Sequence, residues 1–207
     1  MRSLLFGLLL ALGACSSSSS DTAPGNASVN ASEASPSDMT SVPAGQSAVA
    51  YFAGGCFWGV EHFLEQLDGV HSVESGYMGG NVDNPSYKQV VYEGTGHLEA
   101  VRVRYDASKV DYETVAKLFF EIHDPTQANG QGPDIGAQYL SAVFYADATQ
   151  RRVTDKLIGQ LRERGYDVAT TVRPASTFWL AEDYHQDYYA KSGSKPYCHA
   201  RVRRFGD

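Results

Sequence analysis

Residues 48–61 read AVAYFAGGCFWGVE, and this stretch decides how the chain begins to fold. Its first six residues are apolar and include strand-forming types, so they predict a buried strand. Gly54 and Gly55 predict a tight turn, and apolar residues from Phe57 onward recur at helical spacing. A strand, a turn and a helix therefore place Cys56 at the start of the helix.

The rest of the domain predicts further strands and helices. Predicted strands lie at 70–77, near 90–92 within a long loop at 78–96, and at 97–105, 139–145 and 167–173. Predicted helices lie at 57–67, 111–122, 149–164 and 181–191, and Asp111 is the predicted cap of the second one. The tail 192–207 ends in a short extended piece. This order indicates an α+β fold, a ferredoxin-like α/β sandwich in which helices pack on a mixed sheet with long functional loops and an irregular C-terminal tail. A doubly wound parallel sheet is the alternative, and no Gly-rich phosphate loop supports it.

The N-terminal residues have the layout of a secretory signal. Arg2 precedes an apolar run at 4–12 that is too short to span a bilayer, which is typical of a signal peptide at 1–14. Leu12-Gly13-Ala14-Cys15 resembles a bacterial lipobox, which predicts cleavage before Cys15 and lipid on its sulfur. An ordinary signal peptide that ends in cysteine is the alternative.

Residues 15–46 contain Ser, Ala, Asn, Pro and Asp with almost no large apolar side chain. Such a segment cannot offset its ordering entropy by burial, so we predict a flexible Ser-rich tether. It would connect a lipidated Cys15 to a domain at 47–207. We therefore expect a protein of the cell envelope, lipid-anchored to a bacterial membrane and facing the periplasm or the exterior.

Composition excludes some classes of partner and site. The chain has 207 residues and a net charge of −7, without a basic stripe interleaved with aromatics, so nucleic acid is not an expected partner. Its six histidines lack the spacing of metal ligands, so no metal is expected. The basic run at 201–204 is predicted to be a solvated strand face. The domain is long enough for one real core, and we expect a monomer.

Two cysteines remain once Cys15 is assigned to lipid. Cys56 and Cys198 could form a structural disulfide, or Cys56 could be a packing residue or a nucleophile. A thiol with a pKa of about 8.5 is roughly 3 % ionised at pH 7, and a helix N-terminus worth up to ~1 kcal/mol raises this to only about a tenth. A nucleophilic Cys56 would therefore need a second activating group or a substrate activated by a proton donor.

Ten short motifs run in order through the domain. They are GGCFWGVE (54–61), GYMGG (76–80), NPSY (84–87), GTGHLEA (94–100), HDPTQ (123–127), QGPDIG (131–136), QY (138–139), FW (178–179), AEDYHQ (181–186) and PYC (196–198). Together they resemble the signatures of type A peptide methionine sulfoxide reductases, which repair oxidised methionine. The resemblance spans nearly the whole domain.

The resemblance implies an oxidoreductase that reduces the S epimer of methionine sulfoxide by thiol chemistry. Cys56 would attack the sulfoxide sulfur, and Glu99 would protonate the leaving oxygen. The phenols of Tyr87 and Tyr139 would donate hydrogen bonds to that oxygen. Glu99 can act as an acid near pH 7 only if burial raises its pKa, which its place among apolar strand residues allows.

Three further residues receive roles from the resemblance. Phe57 and Trp58 would form the apolar pocket for the methyl group on sulfur, although periodicity alone makes Phe57 a packing residue. Asp134 would anchor the site, and its alternative role is that of a loop or capping residue. Tyr139 is followed by Leu140, where relatives often carry an arginine, which puts a local charge partner in doubt.

The resemblance also implies how the enzyme is regenerated. A sulfenic acid on Cys56 would condense with Cys198, which lies in a tail that can swing toward the site. A thioredoxin-like dithiol protein would then reduce this single disulfide, and no bound cofactor is required. Many relatives carry a second C-terminal cysteine, and this chain does not.

Three other functions are weaker. A thioredoxin-type oxidoreductase would need Cys-x-x-Cys, and Gly59 occupies the second cysteine position. A Cys/His hydrolase would need a histidine beside Cys56, which nothing in the sequence places there. A tethered binding module is supported only by the tether.

Overall fold

The computed structural model describes residues 47–206, so the predicted signal peptide, the tether and Cys15 lie outside the described residues. The strands are β1 (Ser47–Gly54), β2 (Val70–Met78), β3 (Leu98–Asp106), β4 (Gly130–Gln131), β5 (Asp134–Ile135), β6 (Ser141–Tyr145), β7 (Thr171–Pro174) and β8 (Trp179–Leu180). The helices are α1 (Phe57–Leu64), α2 (Tyr87–Tyr92), α3 (Tyr112–Ile122), α4 (Ala148–Glu163) and α5 (Tyr188–Ser192), and a 3-10 turn covers Ala137–Tyr139. Within 47–206, no helix combines the length and apolar character needed to cross a membrane.

Six strands form one sheet in the order β7-β6-β1-β3-β2-β8. All neighbouring strands are antiparallel except β6 and β7, which are parallel. The central strands β6-β1-β3-β2, with α1 and α3 as crossover helices, form the ferredoxin-like arrangement. The predicted α+β sandwich with a mixed sheet is therefore confirmed, and the doubly wound parallel alternative is wrong. The small β4-β5 hairpin lies outside this sheet and carries Asp134.

Alternation along β3 decides which side chains face the helices. Val101 and Val103 belong to the main core, where Phe52 of β1 stacks on Phe119 of α3 with ring centroids 4.6 Å apart. Leu98 and Ala100 belong to a smaller cluster that also contains Met78 and Phe144. Because side chains alternate along a strand, Glu99 lies on the same face as Val101 and points toward the helices. The strand thus carries a carboxyl group into an apolar layer.

The turn between β1 and α1 requires glycine at one position. Gly55 has φ +94°, which L-residues with a side chain rarely adopt, and a Cβ there would overlap the Gln131 side chain. Gln131 is buried, accepts a hydrogen bond from the Asp124 backbone N–H at 3.1 Å, and donates to the Asp124 carbonyl at 3.2 Å. The turn that carries Cys56 is therefore packed against the loop that leads to Asp134.

Several local predictions were wrong. The segment near 90–92 is not a strand, because Ser86 and Gln89 form a reciprocal capping box that begins α2 instead. The predicted helix at 181–191 is reduced to α5, since β8 and a series of turns occupy the residues before it. Tyr139 ends the 3-10 turn rather than beginning a strand.

The C-terminal tail is fixed to α3 through Glu121. The Val202 N–H donates to the Glu121 carbonyl at 2.7 Å, and Arg201 Nε donates to its carboxylate at 3.0 Å. Arg204 is 9 % exposed and donates to the backbone carbonyls of Phe120 and Glu121. Residues 201–206 contain no strand, so the predicted solvated strand face is wrong.

Asp111→Ala tests the predicted helix cap. Asp111 precedes α3, and its carboxylate accepts from the Thr114 N–H at 2.8 Å. We expect the substitution to lower the free energy of unfolding by about 1 kcal/mol, because one helix N–H loses its partner. Urea unfolding measures the change, and Asp167→Ala, an exposed site outside the helices, is the control. Equal stability of the two variants would contradict the capping role.

Candidate active site

Cys56 lies directly before α1 as its N-cap residue, with a free thiol that is 6 % exposed. Its neighbour Cys198 and burial raise the pKa of this thiol, and the Trp58 backbone N–H only partly opposes them. Burial and the second thiol outweigh the helix N-terminus, so the helix alone does not ionise Cys56, in agreement with the small effect expected from the sequence. Before substrate binds, Cys56 is a neutral thiol.

Glu99 closes the other side of the helix start. Its side chain is 1 % exposed, and Oε2 accepts a hydrogen bond from the Phe57 N–H at 3.1 Å. Burial raises the pKa of Glu99 well above its ordinary value, with a further contribution from Cys56, while the Phe57 N–H opposes the shift. Burial among the apolar residues of β3 therefore favours the protonated form of this carboxyl, which is the direction that a proton donor requires.

Tyr87 and Tyr139 bring two phenols toward Glu99 from different loops. Tyr87 is the first residue of α2, and Tyr139 is the last residue of the 3-10 turn. Burial raises the pKa of both phenols, the Glu99 carboxyl adds to each shift, and the two hydroxyls interact with each other. Both phenols stay protonated at neutral pH and can donate hydrogen bonds next to Glu99.

Phe57 and Trp58 have different surroundings at the start of α1. Phe57 is buried in the main core, 5.0 Å from the His185 ring. Trp58 is half-buried, stacks on Tyr188 at 3.7 Å with an interplanar angle of 5°, and donates from Nε1 to His185 Nδ1 at 3.1 Å. Periodicity therefore assigned Phe57 correctly as a packing residue, whereas Trp58 is only partly buried and packs against Tyr188 and His185.

Asp134 and Cys198 complete the group around Cys56. The Cys56 sulfur, the Cys198 sulfur and one Asp134 carboxylate oxygen all lie within 4.8 Å of one another. The Asp134 carboxylate accepts from the Tyr197 hydroxyl at 3.0 and 3.1 Å. Cys198 therefore needs no large swing to reach Cys56, because its segment already lies at the site.

Two residues that the sequence analysis did not assign hold this arrangement. Glu182 accepts from the Tyr77 hydroxyl at 2.8 Å and from the Tyr87 backbone N–H at 2.9 Å, so it fixes the start of α2. His199 Nδ1 lies 3.1 Å from Cys198 Sγ, and its Nε2 lies 2.8 Å from the Gly54 carbonyl. The adjacency of His199 to Cys198 was the only signal in the sequence, and its contact with β1 depends on the fold.

The geometry suits reduction of a polar S–O or O–O bond by a thiol. Cys56, a carboxyl with a raised pKa and two phenols that interact with it lie together, and a second thiol lies close enough to close a disulfide. Within 47–206, no group of His, Cys and carboxylate side chains supplies the four ligands of a structural zinc site. A carboxyl, two phenols and two thiols can together carry out proton transfer and thiol–disulfide exchange.

Comparison with known proteins identifies a family with this chemistry. The family model for peptide methionine sulfoxide reductase matches residues 48–206. Peptide methionine sulfoxide reductase MsrA 1 of Rhodopirellula baltica is 46% identical over 168 residues, which are 77% of this chain and 88% of that protein.

Solved structures agree with this match. Reduced Mxr1 of Saccharomyces cerevisiae is 30% identical, with a TM-score of 0.71 over 78% of this chain and 95% of that one. Mxr1 in complex with Trx2 shares the fold at 19% identity, with a TM-score of 0.52 over 79% and 95% of the two chains. With the family model matching almost all of the described residues, the chain belongs to the peptide methionine sulfoxide reductase family.

Proposed function

We propose that this protein reduces the S epimer of methionine sulfoxide, free or within proteins, to methionine. The observation that carries the proposal is the buried, protonated Glu99 bonded to the start of the helix that presents Cys56. A sulfoxide bound there meets a nucleophile and a proton donor at once. Membership of the family supports the same reaction.

In the first step, Cys56 attacks the sulfoxide sulfur while Glu99 protonates the oxygen. The thiol proton replaces the one that Glu99 gives up, so the carboxyl ends the step protonated. The oxygen leaves the substrate as hydroxyl on Cys56 sulfur, which yields methionine and a sulfenic acid. The phenols of Tyr87 and Tyr139 stabilise the oxygen, and Trp58 lines the pocket for the methyl group while the buried Phe57 packs next to it, with ring centroids 6.4 Å apart.

In the second step, Cys198 attacks the sulfenic acid sulfur and water leaves, which forms the Cys56–Cys198 disulfide. Sulfur separations within 4.8 Å make this closure local. Asp134 anchors the segment through Tyr197. A thioredoxin-like dithiol protein then reduces the disulfide back to two thiols. The structure of Mxr1 in complex with Trx2 supports this kind of reductant, and no bound cofactor takes part.

A thioredoxin-type oxidoreductase is the alternative. It requires a second cysteine at position 59, and a Cβ at Gly59 would overlap His199 Nδ1. That motif does not fit this site without displacing the tail, so the alternative is not favoured.

We also propose that residues 1–14 are a lipoprotein signal peptide and that 15–46 tether a lipidated Cys15 to a monomeric domain at 47–207. The lipobox-like Leu12-Gly13-Ala14-Cys15 and the Ser-rich composition support this organisation. The enzyme would then lie in the cell envelope and repair exported proteins. Its reductant would be a membrane-linked or exported thioredoxin-like protein.

Replacing each thiol separates the two steps. We expect Cys56→Ser to abolish reduction of methyl sulfoxides, because the nucleophile is lost. We expect Cys198→Ser to release one methionine per enzyme and then stall, because the sulfenic acid has no partner. A first-turnover assay that quantifies methionine per enzyme measures both effects.

Cys15→Ser is the control, because it replaces a cysteine outside the domain at 47–207. We expect this variant to retain multiple turnover in the assay. Full release of methionine by Cys56→Ser would refute the proposed nucleophile. Sustained turnover by Cys198→Ser with a protein dithiol would refute the resolving role. Equal consumption of the R epimer by the unmodified protein would contradict the type A specificity.

Glu99→Gln tests the protonated carboxyl through the pH dependence of stability. Above about pH 4.3 the unfolded carboxyl loses its proton while the folded one keeps it, so Glu99 lowers stability as pH rises toward its raised folded pKa. Glutamine does not ionise, so the variant is not destabilised in this way. We expect the free energy of unfolding of the variant, minus that of the unmodified protein, to increase by up to about 1.4 kcal/mol per pH unit. Urea unfolding between about pH 5 and pH 8 measures the trend.

The matched control is Glu163→Gln, which removes an exposed carboxyl at the end of α4. A stability difference for Glu99→Gln that stays flat or falls across the pH range would show that Glu99 ionises readily.

We also expect the first-turnover rate of Glu99→Gln to fall on the order of 10²-fold or more, as for loss of a general acid.

Metabolic labelling with an alkyne fatty acid tests the lipid anchor. We expect label on the full chain expressed in a bacterial host and in its membrane fraction, and neither for Cys15→Ala, because only the Cys15 sulfur accepts the lipid. Ser16→Ala is the matched control and should retain both. Equal labelling of Cys15→Ala would contradict the assignment.

A further inference from the structure

His199 is held in one tautomer by its two hydrogen bonds. A carbonyl oxygen only accepts, so the 2.8 Å contact with Gly54 places the imidazole proton on Nε2. Nδ1 then carries the free electron pair, and the partner 3.1 Å away is Cys198 Sγ. The Cys198 thiol therefore donates a hydrogen bond to His199 Nδ1. The hydrogen bond to β1 thus orients His199 so that its Nδ1 accepts from the second thiol of the site.

The imidazole has little room to turn away from this position. His199 is buried, although its neighbours Cys198 and Ala200 are more exposed. Its ring lies against Gly59 in α1, where a Cβ would overlap Nδ1 and come within 2.9 Å of Cε1. The glycine is not needed for backbone conformation, since its φ lies outside the positive range. Gly59 therefore leaves the space that the His199 ring fills.

The surroundings also keep the imidazole neutral. Burial lowers the pKa of His199, while the Gly54 carbonyl and the Asp134 carboxylate oppose the shift. A neutral ring retains the Nδ1 electron pair at neutral pH, so it can accept a proton from sulfur. A protonated ring would have two N–H groups and could not accept.

We propose that His199 is the general base for Cys198 in the step that forms the disulfide, a role that rests on the proposed function. As Cys198 Sγ approaches the Cys56 sulfenic acid, its proton moves to His199 Nδ1 and its electron pair forms the S–S bond. The S–O bond of Cys56 breaks, and the departing hydroxide takes the proton from the imidazolium to leave as water. Cys198 sulfur is oxidised and Cys56 sulfur is reduced by the same amount, so no other oxidant is needed.

His199→Gln separates the base from the anchor. A glutamine amide N–H can replace Nε2 in the bond to Gly54, but it offers no basic nitrogen near Cys198. We expect disulfide formation to slow on the order of 10²-fold, as for loss of a general base, and methionine release to fall much less. Rapid quench with thiol alkylation and mass measurement follows the disulfide, and a dimedone adduct reports the sulfenic acid accumulating on Cys56.

His71→Gln is the matched control, because His71 is an exposed histidine on β2. It should form the disulfide at the unmodified rate. The same comparison is made with hydrogen peroxide in place of the sulfoxide, since peroxide also converts Cys56 to a sulfenic acid. If sulfoxide is not reduced but peroxide still reveals the slow disulfide of His199→Gln, the proposed function fails and the role of His199 stands.

Gly59→Ala provides a second, independent variant. Alanine favours a helix over glycine, so α1 itself is not weakened, but the added Cβ displaces the His199 ring. We expect the same selective slowing of disulfide formation. If His199→Gln forms the disulfide as fast as His71→Gln with either oxidant, the proposal is overturned. If His199→Gln does not fold, unmodified disulfide rates in a folded Gly59→Ala overturn it instead.

Discussion

The hydrogen bond from the Phe57 N–H to the Glu99 carboxyl joins the two halves of the site. It fixes the first turn of α1 to β3, so the nucleophile and the acid keep one relative position. Burial of Glu99 also raises its pKa and so favours the protonated form. An ionised carboxylate at this depth would be costly and could not supply a proton. Phenols, thiol and aromatic wall are arranged around this one neutral carboxyl.

Activation consequently comes from the substrate side. Cys56 is less acidic than an ordinary cysteine, because the second sulfur and burial outweigh the helix N-terminus. A neutral thiol reacts with oxidants more slowly than a thiolate does. The site becomes most reactive when an oxygen of the bound substrate is available to take a proton. This favours a polar oxide over the peptide and ester groups that an always-ionised thiolate would attack.

Much of the fold followed from periodicity and turn residues. The two-residue period of β3 predicted the face on which Glu99 lies, and Asp111 was correctly identified as a helix cap. The capping box of Ser86 was overlooked, so α2 was assigned as a strand. The ion pair between the buried Glu121 and the partly exposed Arg201 of the tail depends on tertiary contact and leaves no periodic signal. For the same reason, sequence placed Cys198 on a swinging tail when Glu121 and Asp134 hold that segment in place.

The segments that carry the two sulfurs have different freedom to change. Cys56 is set by a strand, a glycine turn and a helix at the centre of the sheet, and moving it would disturb the core. Cys198 lies in the short segment 197–206, which contacts the rest of the domain through Glu121, Asp134 and Gly54. Mutations confined to that short segment can reposition the second sulfur, or add another one, without altering the groups that bind sulfoxide. The way the enzyme accepts electrons can therefore evolve separately from the reaction that consumes them.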